Sequence, residues 1–387
     1  MRLTYIFNGR LPTEKAHGLQ IVKSCEAFAR EGIDTMLLVA HRHNLIKEDL
    51  FSYYDIERVF DVKNAWGLSL KFLGGNRIGY FIQAFTSDVG ILWKILFSVK
   101  KNGNIFYARD YPALTLLSFL PYKFIAEIHD YRSARPRWWM RRILKNAHRI
   151  VANSEGTLES LEKHYDSFGK KALIVSNGVD VEYFKTFEAK EGIRKRIAMP
   201  EEKTILAYIG SLSMIGRGKG VKSILKAFKD IEEANSDAVL YIVGGPDDAV
   251  IHYRQEAKEF GLSEDRVVFT GHIAYKDIKD YINAVDIVIM PLPENQHVLT
   301  TSPIKLFEYL AAGKVIVAPD ISSLHAYIND KNAILFDPDK EDGLQKSLLN
   351  AIQDKYAWSK YQENAQKDSI NYTWNKRARK IIDFIHE

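Results

Sequence analysis

Twelve short apolar runs, few of them alternating with polar residues, set what this chain can fold into. In the first half they lie at 3–7, 35–39, 105–108, 124–128, 150–152 and 173–175, and in the second at 205–209, 239–243, 267–270, 287–290, 315–318 and 334–336. A run that is apolar at nearly every position suits a parallel strand buried on both faces. Helical patterns, such as 19–31, 156–164, 221–234 and 276–284, separate most of the runs. Two such series in succession predict an α/β chain of two doubly wound, Rossmann-like domains. The length of 387 residues and an apolar content of 46% suffice for two cores. The turn Asn177-Gly178-Val179-Asp180 marks the expected seam, and the stretch from there to about residue 200 reads as a charged linker with a helix. Residues 374–386 read as a basic amphipathic helix.

Composition excludes several classes. A net charge of +5 is modest for this length and does not argue for nucleic acid. Cys25 is the one cysteine, so no internal disulfide can form and a reducing, cytoplasmic compartment is expected. The first residues enter a strand pattern directly, with no secretory apolar region, and no stretch approaches the roughly 18 apolar residues needed to cross a bilayer. No His/Cys/Asp cluster has zinc-like spacing, and Asp337-Pro338-Asp339 reads as a turn, so no metal is expected. Neither a Walker P-loop nor a nucleophile elbow is present.

Ligands of doubly wound sheets bind outside the carboxyl ends of the strands. There the segment Ser302-Pro303-Ile304-Lys305-Leu306-Phe307-Glu308 predicts a helix with Ser302 as N-cap and Pro303 in the first helical position. Its leading amides and dipole suit a phosphate, and Glu308 could accept from two neighbouring hydroxyls, as in a ribose. An ordinary capped helix burying Leu306, Phe307 and Leu310 is an equal alternative at this stage. Further glycines and cations, Gly216-Arg217-Gly218-Lys219-Gly220, follow the run at 205–209. They suit phosphate oxygens, or simply form a basic surface loop. Gly245 and the pair His272-Ile273 follow two other runs and offer backbone to a base edge, and Gly18 in the first half could bring an amide to a phosphate or sugar.

His129 follows the run at 124–128, where it would project from the strand end. Between 132 and 149 lie seven cations and no carboxylate, with Arg137, Trp138, Trp139, Arg141, Arg142 and Lys145 among them. That segment suits contact with an anionic membrane surface, or a solvated helix face.

Together these segments resemble a GT-B-fold glycosyltransferase of family 4, the large retaining group. The resemblance is carried by Lys15-Ala16-His17-Gly18-Leu19-Gln20-Ile21, Ala108-Arg109-Asp110, Glu127-Ile128-His129-Asp130, Ala152-Asn153-Ser154-Glu155, Ser176-Asn177-Gly178-Val179-Asp180, Tyr208-Ile209-Gly210-Ser211-Leu212, Lys219-Gly220-Val221, Val243-Gly244-Gly245 and, above all, 302–309. It implies two domains facing across a cleft: 1–180 plus 373–387 on the acceptor side, with the terminal helix returning to it, and 181–372 binding the donor. It implies a metal-independent, retaining transfer of a hexose-type sugar from a nucleoside-diphosphate sugar, a UDP-sugar first and a GDP-sugar second. The acceptor would be a glycan or lipid-linked molecule of cell-surface polysaccharide or glycolipid synthesis, handled in the cytoplasm or at the inner face of the membrane. Lys219 and Arg217 would hold the diphosphate with the amides near Lys305 and Leu306. Glu308 would hold the ribose, Gly245 and His272-Ile273 the base, and His129 with Gly18 the sugar and diphosphate. An inverting transferase with His17 as base, a nucleotide-sugar epimerase and a non-catalytic nucleotide-sugar-binding subunit are the alternatives. Two departures stand out: Thr300 lies where the family often has a second carboxylate, and Ser211 where it often has arginine.

Overall fold

The computed structural model describes residues 1–68, 77–99, 103–131, 133, 135–214, 217–235, 237–291 and 302–387. They form two compact units, Met1–Asn177 with Trp374–Glu387, and Gly178–Thr373.

In the first unit the strands are β1 (Arg2–Phe7), β2 (Asp34–Ala40), β3 (Asp61–Ala65), β4 (Asn104–Ala108), β5 (Phe124–Ile128), β6 (Arg149–Ala152) and β7 (Ala172–Ile174). Among the described residues they make one parallel sheet in the order β3-β2-β1-β4-β5-β6-β7. The apolar runs became these strands, but β3 was not expected. Its sequence, Asp-Val-Lys-Asn-Ala, is exposed except at Ala65, as an edge strand beside β2 allows. The helices Arg77–Ser98, Tyr111–Leu117 and Trp138–Asn146 cover one face, sharing a core of Ile91, Ile95, Leu114, Leu117, Met140 and Ile143. The helix Ala16–Arg30 packs with the terminal helix Trp374–His386.

In the second unit the strands are β8 (Thr204–Ile209), β9 (Ser213–Met214), β10 (Arg217–Gly218), β11 (Ala238–Val243), β12 (Val267–Gly271), β13 (Ile287–Ile289), β14 (Val315–Pro319) and β15 (Ile334–Phe336). The main sheet is parallel, in the order β12-β11-β8-β13-β14-β15, while β9 and β10 form a separate two-stranded hairpin. Ile205, Ala207 and Ile209 of β8 enter one core and Leu206 and Tyr208 the other, which is why the run is apolar throughout. The charged segment after the seam docks as the helix Lys190–Arg196. Arg194, 1% exposed, donates to Asp286 at 2.7 Å and to the carbonyls of Ala284, Glu201 and Lys203.

The terminal helix is tied to the first unit by Arg377. Its guanidinium meets the buried carboxylate of Glu127 on β5 and donates to the Ser176 carbonyl at 3.0 Å. Both side chains are almost fully buried. Arg377→Ala is therefore expected to destabilise this unit by about 3–5 kcal/mol, because it leaves a buried carboxylate without its cation. Arg377→Lys should recover only part, since an ammonium cannot span Glu127 and Ser176 together. Denaturant melts of the two variants check this.

Candidate functional site

In the second unit the strand order reverses between β8 and β13, the position where doubly wound sheets open a crevice. The backbone at this end of β8 is shaped by two glycines. Gly210 adopts φ +149° and Gly244, at the end of β11, φ +140°. A Cβ on Gly244 would stand 2.0 Å from the Gly210 carbonyl oxygen, so only glycine fits that crossing.

The helix Ile304–Ala311 begins at this crevice. Tyr309 fixes it there: its hydroxyl donates to the Ile209 carbonyl at 2.9 Å and accepts from the Ile209 amide at 3.3 Å. One turn earlier, Lys305 places its ammonium 4.2 Å from the centre of the Tyr208 ring. A Cβ on Gly210 would lie 3.8 Å from the same nitrogen. Burial, and then the neighbouring charge of Lys219, lower the Lys305 pKa to about 7. Glu308 lies three residues on, 8% exposed, and burial raises its pKa to about 7 against the opposing pull of Lys305 and a hydrogen bond from Tyr275. Two cations and one carboxyl group therefore share a largely dehydrated site. A phosphate anion beside the lysines would relieve their repulsion, and Glu308 is placed to accept from hydroxyl groups.

The helix start differs from expectation. Pro303, in extended conformation, occupies the N-cap position, and the helix proper begins at Ile304. Ser302 is buried, and its hydroxyl is engaged with Tyr327 instead of capping. Pro303 has no side-chain acceptor, so no cap bond satisfies the first-turn amides. The Leu306 amide turns back onto the Pro303 carbonyl at 3.1 Å, which leaves Ile304 and Lys305 as the leading amides. Gly245 and His272 are neighbours: a Cβ on Gly245 would touch the His272 Cβ at 3.4 Å. His272 is exposed, and Ile273 packs against the core below it. Arg217 pairs through its backbone with Met214 in the β9–β10 hairpin, but its side chain, like Thr300, lies outside the described residues. Tyr275, which the sequence did not single out, opens the helix Tyr275–Ala284 and stacks on Tyr183 with ring centroids 5.8 Å apart.

A separate cluster lies in the first unit. Glu127 Oε1 accepts from Gln20 Nε2 at 2.9 Å, from Arg377, and from His129 Nε2 at 2.6 Å. Burial alone would raise the Glu127 pKa, but the charge of Arg377, followed by His129, holds it well below the carboxylate range. An ionised Glu127 can only accept, so His129 carries its proton on Nε2 and accepts at Nδ1 from Asn153 Nδ2, 3.3 Å away. Burial and the charge of Arg109 lower the His129 pKa to about 4. His129 is thus a neutral, oriented ring with both nitrogens engaged, not a proton shuttle. Arg109 joins the cluster through Gln20 Oε1 at 2.7 Å. His17 is also lowered to about 4, by burial and Arg109, far from the range that suits a general base at neutral pH.

The Gly18 amide donates to the Lys15 carbonyl at 2.9 Å, and a Cβ on Gly18 would stand 2.1 Å from the Tyr54 hydroxyl. Glycine is needed there for packing and presents no open amide. In the basic segment, Arg137, Trp138, Arg141 and Lys145 are exposed, whereas Trp139 packs on Tyr111 and Arg142 lies over Phe119, 3.9 Å from its ring centre. The helix Trp138–Asn146 turns its other face inward, so only part of its basic set is available.

Residues 203–354 match the family model described as glycosyl transferases group 1, and residues 92–183 match that of glycosyltransferase family 4. These two segments are accordingly similar to group 1 and family 4 glycosyltransferases, and the chain has the GT-B fold. It is similar to D-inositol 3-phosphate glycosyltransferase of Corynebacterium urealyticum, 24% identical over 62% of this chain and 57% of the relative. It is also similar to the putative teichuronic acid biosynthesis glycosyltransferase TuaH of Bacillus subtilis, 28% identical over 47% of this chain and 43% of the relative. The matched segments thus span roughly half the length of these curated relatives. Among solved structures, Anabaena HepE in complex with UDP and glucose superposes with a TM-score of 0.75 at 16% identity, covering 100% of this chain and 99% of that one. Sucrose-phosphate synthase from Thermosynechococcus elongatus gives 0.78 at 14%, covering 100% and 98%.

The buried charges of the second unit carry a testable cost. Raising the Glu308 pKa gives stability that is present below the ordinary value of 4.5 and lost as pH rises through about 7. Lowering the Lys305 pKa gives stability that is present above 10.5 and lost as pH falls through about 7. The two penalties overlap most near pH 7. The double variant Lys305→Met/Glu308→Leu is expected to be more stable than the parent at pH 7 by about 1–4 kcal/mol. That margin should shrink toward both pH 5 and pH 10 in denaturant melts.

Proposed function

We propose that this protein is a retaining glycosyltransferase that moves a hexose-type sugar from a nucleoside-diphosphate sugar to a glycan or lipid-linked acceptor. The observation that carries the reading is the placement of Lys305 and Glu308 on the first turns of one helix at the β8/β13 crevice, with Lys219 near enough to lower the Lys305 pKa. Cations and leading amides suit a diphosphate, and a carboxylate one turn away suits a ribose diol. A UDP-sugar is the first choice of donor, as HepE is seen with UDP and with UDP-glucose, and a GDP-sugar the second. The similarity to TuaH favours a role in surface polysaccharide synthesis.

The chemistry follows from the charges. As the bond to the sugar breaks, negative charge grows on the leaving diphosphate, and Lys219 and Lys305 are the groups that would stabilise it. Lys305 gains its full charge when the phosphate arrives, so its attraction strengthens on binding. Transfer with retention would let the departing phosphate receive the acceptor proton, so no separate base is required. The reading assigns no metal to the reaction.

Lys219→Ala is expected to lower turnover by about 10²–10³-fold, in line with the loss of a comparable charge stabiliser. Wild-type turnover in this variant would remove Lys219 from the mechanism, and NMR of the product's anomeric centre decides between retention and inversion. Binding should also move protons. At pH 8 Lys305 is largely neutral, so a UDP-sugar would drive proton uptake. At pH 6 Glu308 is largely protonated, so the ribose would drive release. Calorimetry in buffers of different ionisation enthalpy should show the sign reverse near pH 7, with Lys305→Gln removing the uptake and Glu308→Gln the release.

A further inference from the structure

The helix Arg77–Ser98 is apolar on two opposite faces. Ala84, Ile91 and Ile95 are buried in the core of the first unit. On the other side, Ile82, Phe85, Val89, Trp93, Leu96 and Phe97 are exposed, with Phe85 at 68%, Trp93 at 56% and Phe97 at 72%. At 100° per residue these six fall within an arc of about 120°. Trp66 and Leu68 extend the stripe from the segment after β3, and a groove of about 550 Å³ runs between Trp66 and Trp93. Singly exposed apolar residues are ordinary, but a contiguous aromatic stripe of this kind marks a surface that is covered in use.

Charge decides what covers it. Asp88 is the one carboxylate of this helix, and it turns inward to accept from Asn8 Nδ2 at 2.6 Å. Lys94 lies beside Trp93. The helices Tyr111–Leu117 and Trp138–Asn146 pack in sequence against it in the same layer, carry no acidic residue, and add the exposed Trp138, Arg141 and Lys145. A second copy packed face to face would oppose these cations to their own copies, and no carboxylate on the outer faces of the three helices would pair with them. An anionic bilayer matches both properties, since aromatic and aliphatic side chains enter the acyl boundary while cations meet the headgroups. No helix among the described residues is long and apolar enough to cross a membrane, so the contact would be interfacial.

We infer that the exposed face of the Arg77–Ser98 helix is a membrane-docking surface that inserts Phe85, Trp93 and Phe97 into an anionic phospholipid bilayer, with the Trp138–Asn146 helix, beyond Tyr111–Leu117 in the same layer, supplying cations. This moves the main membrane contact away from the basic segment that the sequence suggested. The inference needs neither donor nor acceptor, so it stands or falls separately from the proposed transfer reaction.

The test is flotation of the full chain with vesicles of phosphatidylcholine and phosphatidylglycerol at 7:3. The wild type should float, and part of the binding should survive 0.5 M salt, because insertion of apolar groups is not screened. Phe85→Ser/Trp93→Ser/Phe97→Ser should weaken binding at least tenfold at every salt concentration, with thermal shifts by UDP unchanged from wild type. Arg141→Glu/Lys145→Glu should weaken it chiefly at low salt. Should the triple variant fold poorly, quenching of tryptophan fluorescence by brominated lipid, clearly reduced in Trp93→Phe, reads the same insertion. Absence of wild-type flotation, flotation of the folded triple variant, or quenching undiminished in Trp93→Phe would overturn the inference. So would a wild-type dimer in light scattering that the triple variant dissolves.

Discussion

The first unit is organised around one carboxylate. Glu127 is wholly buried on β5, and a charge in that position is tolerable only because three donors converge on a single oxygen. Each donor comes from a different place: Gln20 from the helix after β1, His129 from the end of the same strand, and Arg377 from the far end of the chain. The terminal helix is thereby held by charge as well as by apolar packing. The same charge sets the tautomer of His129, whose ring is then oriented by Asn153 from the other side. Removing the carboxylate would loosen the terminal helix and free the imidazole together.

The second unit uses buried charge in the opposite way. Lys305 and Glu308 are brought together beside Lys219, both titrating groups on the helix being shifted to about 7. The Tyr309 clasp on Ile209 and the glycine crossing of Gly210 and Gly244 hold this arrangement in place against its own repulsion. Such a site is costly when empty and favourable when an anion and hydroxyls enter. Stability is given up where binding needs it, as is common for preorganised sites.

Much of the fold was legible because burial on both faces leaves a plain mark. Each of the twelve apolar runs is a strand, and β8 shows why, since its side chains alternate between two cores and none faces water. What escaped was structure without that mark. β3 is an exposed edge strand, and the β9–β10 hairpin is two residues on each side. In the site, Glu308 and Lys305 could be read from helical spacing, but Tyr275 could not, because its partner lies in another element. Ser302 was misread as a cap since its competing partner, Tyr327, is remote in sequence. Gly18 is ambiguous in sequence, because a glycine that admits a tyrosine hydroxyl looks like one that admits a ligand.

The Arg77–Ser98 helix shows the sharper limit of pattern reading. Apolar residues at helical spacing are ordinarily assigned to a core, and half of this helix obeys that rule. A second apolar face at the opposite phase adds residues without changing the local look of the sequence, so periodicity alone reads it as deeper burial. Only the fold separates the two faces, because the sheet can cover just one of them. The basic segment shows the complementary limit: its charge is evident in sequence, but only the fold shows that its helix turns one face inward on Tyr111 and the core and leaves Arg137, Arg141 and Lys145 outward. A surface built from one helix's aromatic residues and another helix's cations belongs to neither stretch of sequence, and arises only when the sheet sets both in one layer, with Tyr111–Leu117 between them.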